Sequence, residues 1–191
     1  FLFQYFNSDK GNFLYNQYDK PLKSKKKLIQ GHSYHKFYEN YFYPIKQNNL
    51  NILEIGSFKG NATAAFYFYF KNSHFITCDI YTDFFLYKSN RIKKLSLDNS
   101  SESELNEKIL SQDIFFDIIV EDAGHYLKDQ IISLFMLFKK LKSKGIFVIE
   151  ELDFPNKRKD MNVYNEKPTL KDILQSIIKD ENFDSKYITP E

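Results

Sequence analysis

The stretch Asn51-Ile52-Leu53-Glu54-Ile55-Gly56-Ser57-Phe58-Lys59-Gly60-Asn61-Ala62-Thr63-Ala64-Ala65, with His74-Phe75-Ile76-Thr77-Cys78-Asp79 after it, decides the fold. Asn51 to Ile55 is rich in Ile and Leu and alternates little, the pattern of a short strand buried on both faces. Gly56 and Gly60 allow a tight turn and close backbone approach to a ligand, and both are candidate cofactor-binding positions. The small-residue run Asn61 to Ala65 opens a helix whose free N–H groups and dipole favour an anionic group. A second buried strand, His74 to Cys78, delivers Asp79 at its carboxyl end. An acidic residue about 20 positions after such a loop is where a ribose diol is held.

The spacing from Glu54 is E-x-G-x-x-x-G, not the G-x-G-x-x-G that admits a dinucleotide pyrophosphate. Glu54 beside the turn suits a ligand with a cationic, amino-acid-like end. The pattern resembles the first two motifs of the Rossmann-like S-adenosylmethionine (AdoMet) methyltransferases. The competing reading is a glycine turn inside an ordinary α/β protein.

A chain of 191 residues fits one domain, read here as an N-terminal loop and helix cap (1–50) on a Rossmann-like core (51–180). Its 27 basic and 25 acidic residues nearly balance at +2, which argues against wholesale nucleic-acid binding. The one cysteine, Cys78, excludes an internal disulfide and sits on a strand expected to be buried, as in a reduced compartment. The longest apolar runs, Ala64 to Phe70 and Ile131 to Phe138, fall far short of the ~20 residues of a membrane span. With no secretory n-region and h-region at the start, the expectation is a soluble, cytoplasmic protein. The chain starts on Phe1 rather than Met and ends on Ile188-Thr189-Pro190-Glu191, which reads as a chain lacking its native termini. A homo-oligomer is left open.

Residues 1 to 31 read as irregular, with a basic run at Lys23, Lys25, Lys26 and Lys27. That run is either a solvated loop or a contact to an anionic substrate. From His32 a helix is predicted, with Tyr34, Phe37, Tyr38, Tyr41 and Phe42 on one apolar stripe and Pro44 as its stop. The stripe reads as core packing, with His32 and His35 able to reach a cleft. A third strand, Ile92 to Leu97, ends in Asp98-Asn99-Ser100, and Ser101 to Glu104 reads as a capping box. The fourth strand, Phe116 to Glu121, closes on Asp122-Ala123-Gly124-His125. A long helix follows with Ile131, Phe135, Phe138 and Leu141 facing inward, then a fifth strand, Ile146 to Ile149, ending in Glu150-Glu151. Asp153 to Lys167 is polar and loop-like, a candidate lid. A last helix starts at Thr169 and carries Leu170, Ile173, Leu174 and Ile177 on one face.

Five alternations of strand and helix predict an α/β fold with a parallel, doubly wound sheet and right-handed crossovers, taken here in the Rossmann-like order 3-2-1-4-5. In such a sheet ligands bind outside the carboxyl ends of the strands at the topological switch point. The glycine loop, Asp79 and Asp98 then lie on one side of the crevice, with Asp122, His125, Glu150 and Glu151 on the other. Three carboxylates at adjacent strand ends repel unless protonated, solvated or neutralised, and oxygen-only ligands favour a hard ion, Mg²⁺ ahead of Mn²⁺ or Ca²⁺. The bland alternative is a pair of solvated loop acids. His125, at the first turn of the next helix, is either a proton acceptor over the crevice or a cap.

A closer resemblance rests on His32-Ser33-Tyr34…Tyr38-Glu39, Leu53-Glu54-Ile55-Gly56…Gly60, Asp79-Ile80, Asp98-x-Ser100, Asp122-x-x-His125 and Ile149-Glu150-Glu151-Leu152. Over about residues 9 to 155 these resemble bacterial sugar O-methyltransferases of the macrocin and mycinamicin type. Where that family commonly has D-D-G-S-H and E-D, this chain has Glu121-Asp122-Ala123-Gly124-His125 and Glu150-Glu151. The resemblance implies AdoMet held by Glu54, Gly56, Asp79 and Asp98 with Ser100 near the adenine. It also implies Mg²⁺ on Asp122, Glu150 and Glu151, His125 as base, and a small-molecule or saccharide acceptor. The family usually closes its sheet with an antiparallel hairpin, and none is visible before Glu191. The rival readings are a nicotinamide-dependent oxidoreductase on a similar sheet and a non-catalytic AdoMet-binding or partner-binding domain.

Overall fold

The computed structural model describes residues 1–16 and 27–188; Lys23, Lys25 and Lys26 lie outside them. The N-terminal part is more ordered than its sequence suggests. Helix α1 (Leu2–Tyr5) precedes a two-stranded antiparallel pair, β1 (Phe13–Tyr15) with β2 (Leu28–Gln30). Three-residue strands are too short to print a periodicity. Helix α2 (His35–Phe42) follows, narrower in its buried stripe than expected: Tyr38 and Phe42 are buried, while Phe37 and Tyr41 are exposed.

The core is a five-stranded parallel sheet of β3 (Asn51–Ile55), β4 (His74–Asp79), β5 (Ile92–Ser96), β6 (Phe116–Glu121) and β7 (Leu141–Ile149). Its order, β5-β4-β3-β6-β7, is the expected Rossmann-like 3-2-1-4-5 arrangement, with β3 and β6 adjacent at the centre. The helices between strands are α3 (Asn61–Tyr69), α4 (Glu102–Leu105) and α5 (Leu127–Leu137), and α6 (Phe154–Lys157) and α7 (Leu170–Ile178) follow the last strand. Ser101 caps α4 by accepting from the Glu104 N–H (3.3 Å), but the Glu104 carboxylate turns to the Asp98 N–H (3.1 Å), so the box is half formed. At α7 the box is complete between Thr169 and Asp172.

Side chains leaving β3 alternate between two cores. Ile52 packs with Phe3, Tyr38, Phe42, Phe66 and Phe70 beneath α1, α2 and α3. Leu53 and Ile55 pack with Leu105, Ile109, Ile132 and Leu137 on the opposite face. Burial of such aliphatic and aromatic side chains contributes about 1.5–3 kcal/mol each. A third cluster joins α5 to α7 through Leu127, Ile131, Leu170 and Ile173. Ile177, expected on that face, is exposed.

Two expectations near β7 are corrected. Helix α5 stops at Leu137, Phe138 is exposed in a following 3₁₀ turn, and Leu141 begins the strand rather than facing inward from the helix. Strand β7 therefore starts five residues before Ile146, across an irregularity in which Leu141 pairs Phe116 and Ile146 pairs Ile118. Lys142, Ser143 and Lys144 are exposed on this edge strand, so no apolar alternation marks it. The span 153–167 is not wholly loop; it carries α6 and a 3₁₀ turn, Lys159–Met161.

Gly56 sets the tightest point of the fold. Its φ is +86°, and a Cβ there would lie 2.0 Å from the Asp122 carbonyl oxygen. Gly56→Ala is expected to lower stability by at least about 1–3 kcal/mol from backbone strain, with the overlap adding to it. Gly124→Ala, whose nearest contacts are the movable side chains of Tyr126 (3.1 Å) and Asp129 (3.3 Å), should cost far less. Urea unfolding of both variants is the measurement, and equal midpoints would contradict the close approach.

Candidate functional site

The glycine loop is held by backbone groups. The Gly56 and Ser57 N–H groups donate to the Cys78 carbonyl (2.8 and 3.0 Å), and Gly60 N–H donates to Ser57 O (2.7 Å). Each Asp79 oxygen accepts one backbone N–H, from Phe58 (2.7 Å) and from Tyr81 (2.9 Å). A cavity of about 280 Å³ opens beside this loop and is bounded by Gly56, Phe58, Asp79, Leu97, Asp122 and His125, with Ser8 to Lys10 on its wall. It reaches the first residues of α3, whose N–H groups are oriented to receive negative charge. A larger cavity of about 700 Å³, largely aromatic, lies among α1, α2 and α3, away from the strand ends.

Of the residues expected to hold a cofactor, Gly56 and Asp79 border the strand-end cavity, and four do not. Glu54 is buried on the α3 side of β3, where it accepts a hydrogen bond from the Thr63 hydroxyl. Alternation explains this: Glu54 shares a face with Ile52, so it enters the core instead of the loop. Burial pushes its carboxyl up to about 7, against the Thr63 hydrogen bond. Gly60 faces the ring of Phe85, 2.6 Å from a built Cβ. Asp98 and Ser100 bind each other: the Ser100 N–H (2.9 Å) and hydroxyl (2.7 Å) both donate to Asp98 Oδ1. His35 lines the aromatic cavity, whereas His32 Nδ1 lies 3.4 Å from Glu151 Oε1.

At the ends of β6 and β7 the acids do converge. One ligand atom each of Asp122, His125 and Glu151 lies within 4.8 Å of the others. His125 Nε2 is 3.8 Å from Asp122 Oδ1 and 3.7 Å from Glu151 Oε2. Glu150, expected beside them as a ligand, does not join that group. Its Oε2 accepts from Lys10 Nζ (2.8 Å) and its Oε1 accepts from the Tyr38 hydroxyl. Lys10 also donates to Asp122 Oδ2, and the Tyr34 hydroxyl donates to Glu151 Oε1 (2.9 Å). Three donors of the N-terminal segment thus meet three acids of the sheet. The groups left open, two carboxylate oxygens with an imidazole beside them, suit a divalent cation.

Lys10, Tyr34 and Tyr38 are the residues that sequence reading missed. The tyrosines sit on the stripe assigned to core packing, and Lys10 lies in a short turn with no period. The only sequence signal for Lys10 is indirect: acids gathered at strand ends need a counter-charge. Beneath the site lies a further unforeseen polar bed. Glu121 is fully buried, its Oε1 near the Ala123 N–H and the Asn99 amide (3.4 Å each), and its Oε2 has no hydrogen-bond partner.

The electrostatics follow from burial. Burial alone would lower the Lys10 ammonium, but Asp122 and Glu150 outweigh it and hold the lysine well above its usual range. Burial raises Asp122 against the opposing pull of Lys10. It pushes Glu150 up to about 7, with the Asp122 charge adding, and Glu151 up to about 7, with the Glu150 charge adding. Glu121 rises through burial to about 8. His125 is lowered to about 4 by burial and by the Lys10 charge, so it is neutral at physiological pH. His125 (φ +59°), Glu151 (φ +48°) and Phe58 (φ +44°) all hold left-handed backbone, which costs of order 1–3 kcal/mol per residue and clusters at functional sites.

With this geometry in hand, solved structures offer a comparison. MycE methyltransferase from the mycinamycin biosynthetic pathway, in complex with Mg and SAH, matches with a TM-score of 0.68 at 20% identity, over 84% of this chain and 44% of that one. The same enzyme with Mg, SAH and mycinamycin VI matches at 0.67 and 20%, over 78% and 43%. A protein assigned as a sarcosine dimethylglycine methyltransferase from Galdieria sulphuraria matches at 0.50 and 15%, over 74% and 57%. The chain has the fold of these methyltransferases. It spans less than half the length of MycE. No family model and no curated protein matches the sequence. Among the described residues no helix is long and apolar enough to cross a membrane.

The buried acids make a pH prediction. An acid raised in the folded state binds more protons there than when unfolded, so stability falls as pH climbs through its folded value. His125, depressed to about 4, opposes this only below about pH 6.5, where the unfolded imidazole takes up a proton. Between pH 6.5 and 8.5 the metal-free chain should therefore lose thermal stability through Glu54, Glu121, Glu150 and Glu151. Glu121→Gln should flatten the upper part of that slope. Thermal melts across the range are the check, and a rising melting temperature would contradict the raised acids.

Proposed function

We propose that this chain is an AdoMet-dependent O-methyltransferase that methylates a hydroxyl of a sugar or glycosylated small molecule, with Mg²⁺ and His125 as the base. The observation that carries it is one of position. The Asp122–His125–Glu151 group adjoins the cavity walled by the glycine loop and Asp79, so a methyl donor and an activated hydroxyl fit side by side. Support for the cofactor, metal and acceptor class comes from the Mg, SAH and mycinamycin VI bound to MycE.

In this reading Asp79 holds the nucleoside end, and the N-terminus of α3 and the Gly56 turn shape the pocket around it. AdoMet brings an already activated methyl group, so the protein mainly supplies alignment. The C–S bond breaks as the C–O bond forms, and the hydroxyl proton passes to His125. A neutral imidazole is the form able to accept it. Asp122 and Glu151 would hold the cation, which when bound lowers the pKa of the acceptor hydroxyl. A hard ion prefers the carboxylate oxygens and leaves His125 free, whereas Zn²⁺ binds imidazole readily.

Calorimetric titration with AdoMet and with NAD tests the cofactor; binding of NAD and not AdoMet would overturn the assignment. His125→Ala should cut turnover on a panel of glycosylated acceptors by about 10²-fold or more. Its AdoMet affinity should stay within about twofold of the parent, and near-full activity would remove the base. Chelator should abolish turnover, Mg²⁺ should restore it, and Zn²⁺ should inhibit by capturing the imidazole. Activity indifferent to chelator would discard the metal.

A further inference from the structure

The three strand-end acids differ in which of their oxygens are already engaged. Lys10 is 1% exposed, and its ammonium bridges Asp122 Oδ2 and Glu150 Oε2. Glu150, itself buried, has its second oxygen taken by the Tyr38 hydroxyl, so both of its oxygens already have partners. Glu151 Oε1 accepts from Tyr34. The oxygens that remain are Asp122 Oδ1 and Glu151 Oε2, and both face His125 Nε2. Three carboxylates and one ammonium leave a formal charge of −3 + 1 = −2, matched by a single divalent ion.

We infer that the acid cluster is partitioned between two cations, so that Glu150 pairs with Lys10 and is not a metal ligand. A single divalent ion takes the oxygens of Asp122 and Glu151 that face His125. Lys10 is in this account a positioning residue. It holds Asp122 by one oxygen and presents the other, and it withholds Glu150 from the ion. The inference rests on the reading that these acids hold a divalent cation, and it departs from the ligand set that the sequence resemblance implies.

Mn²⁺ serves as the probe, followed by electron paramagnetic resonance on the full chain, with circular dichroism and AdoMet calorimetry confirming the fold of each variant. The parent should bind one Mn²⁺. Glu151→Gln should weaken binding at least tenfold. Glu150→Gln should stay within about threefold of the parent. Because that variant leaves Lys10 without one buried partner, the double variant Lys10→Met with Glu150→Gln is the companion. It removes one positive and one negative charge, keeps the cluster at −2, and should also bind within about threefold. Removing both partners of a buried pair is commonly far milder than removing one.

Loss of Mn²⁺ from the folded double variant to the extent seen in Glu151→Gln would overturn the partition while leaving the metal site standing. Two Mn²⁺ ions on the parent would overturn it as well. A parent chain that binds AdoMet but no Mn²⁺ would mean that the Lys10 ammonium is the only cation the acids take, and would overturn the metal reading together with the inference.

Discussion

Burying carboxylates without a counter-charge is the constraint to which this structure answers. Each ion taken out of water costs several kcal/mol unless it is paired and hydrogen-bonded. Asp122 and Glu150 are brought together by the sheet, and the Lys10 ammonium between them makes their burial tolerable. The hydroxyls of Tyr34, just before α2, and of Tyr38 within it complete the hydrogen bonding around Glu151 and Glu150. That requirement fixes the N-terminal segment on the rim of the sheet. The Lys10 carbonyl accepts the His35 N–H (3.1 Å) at the start of α2, so turn, helix and acids form one assembly.

The sheet supplies the other half of the arrangement. With β3 and β6 adjacent, the Gly56 turn and Asp122 meet at backbone distance, and the Asp122 N–H donates to the Ile55 carbonyl (2.9 Å). Only a residue without Cβ allows that approach, so the glycine that shapes the strand-end cavity also seats the first acid. The acids and the cavity are therefore positioned by one contact. The left-handed residues around them, His125 and Glu151, hold costly backbone where chemistry would profit from fixed side chains.

Most of the core was legible in the sequence because continuous apolar runs such as Phe75 to Cys78 and Ile118 to Val120 have few alternatives to a buried strand. That the sheet is parallel and doubly wound follows from the alternation of strand and helix, while its order rests on the Rossmann-like pattern. Misreadings came where local pattern is weak or three-dimensional context rules. Strand β7 opens on Leu141 and runs on through Lys142-Ser143-Lys144, which carry no apolar signal. Glu54 was placed beside a ligand by its motif, and pleat parity sends it beneath α3 instead. The convergence of Asp122, His125 and Glu151 could be reasoned from strand ends. That Glu150 would turn to Lys10 could not, since nothing local links a lysine in an N-terminal turn to an acid just past the last strand.

That lysine closes two of the longer circuits among the described residues. Its two partners lie 112 and 140 residues away, and neither is in place until the fourth and fifth strands of the sheet have paired. Loop-closure entropy disfavours contacts of such span early in folding. The amino-terminal turn is therefore expected to dock late, because only a sheet assembled in correct register offers its ammonium two acids at once.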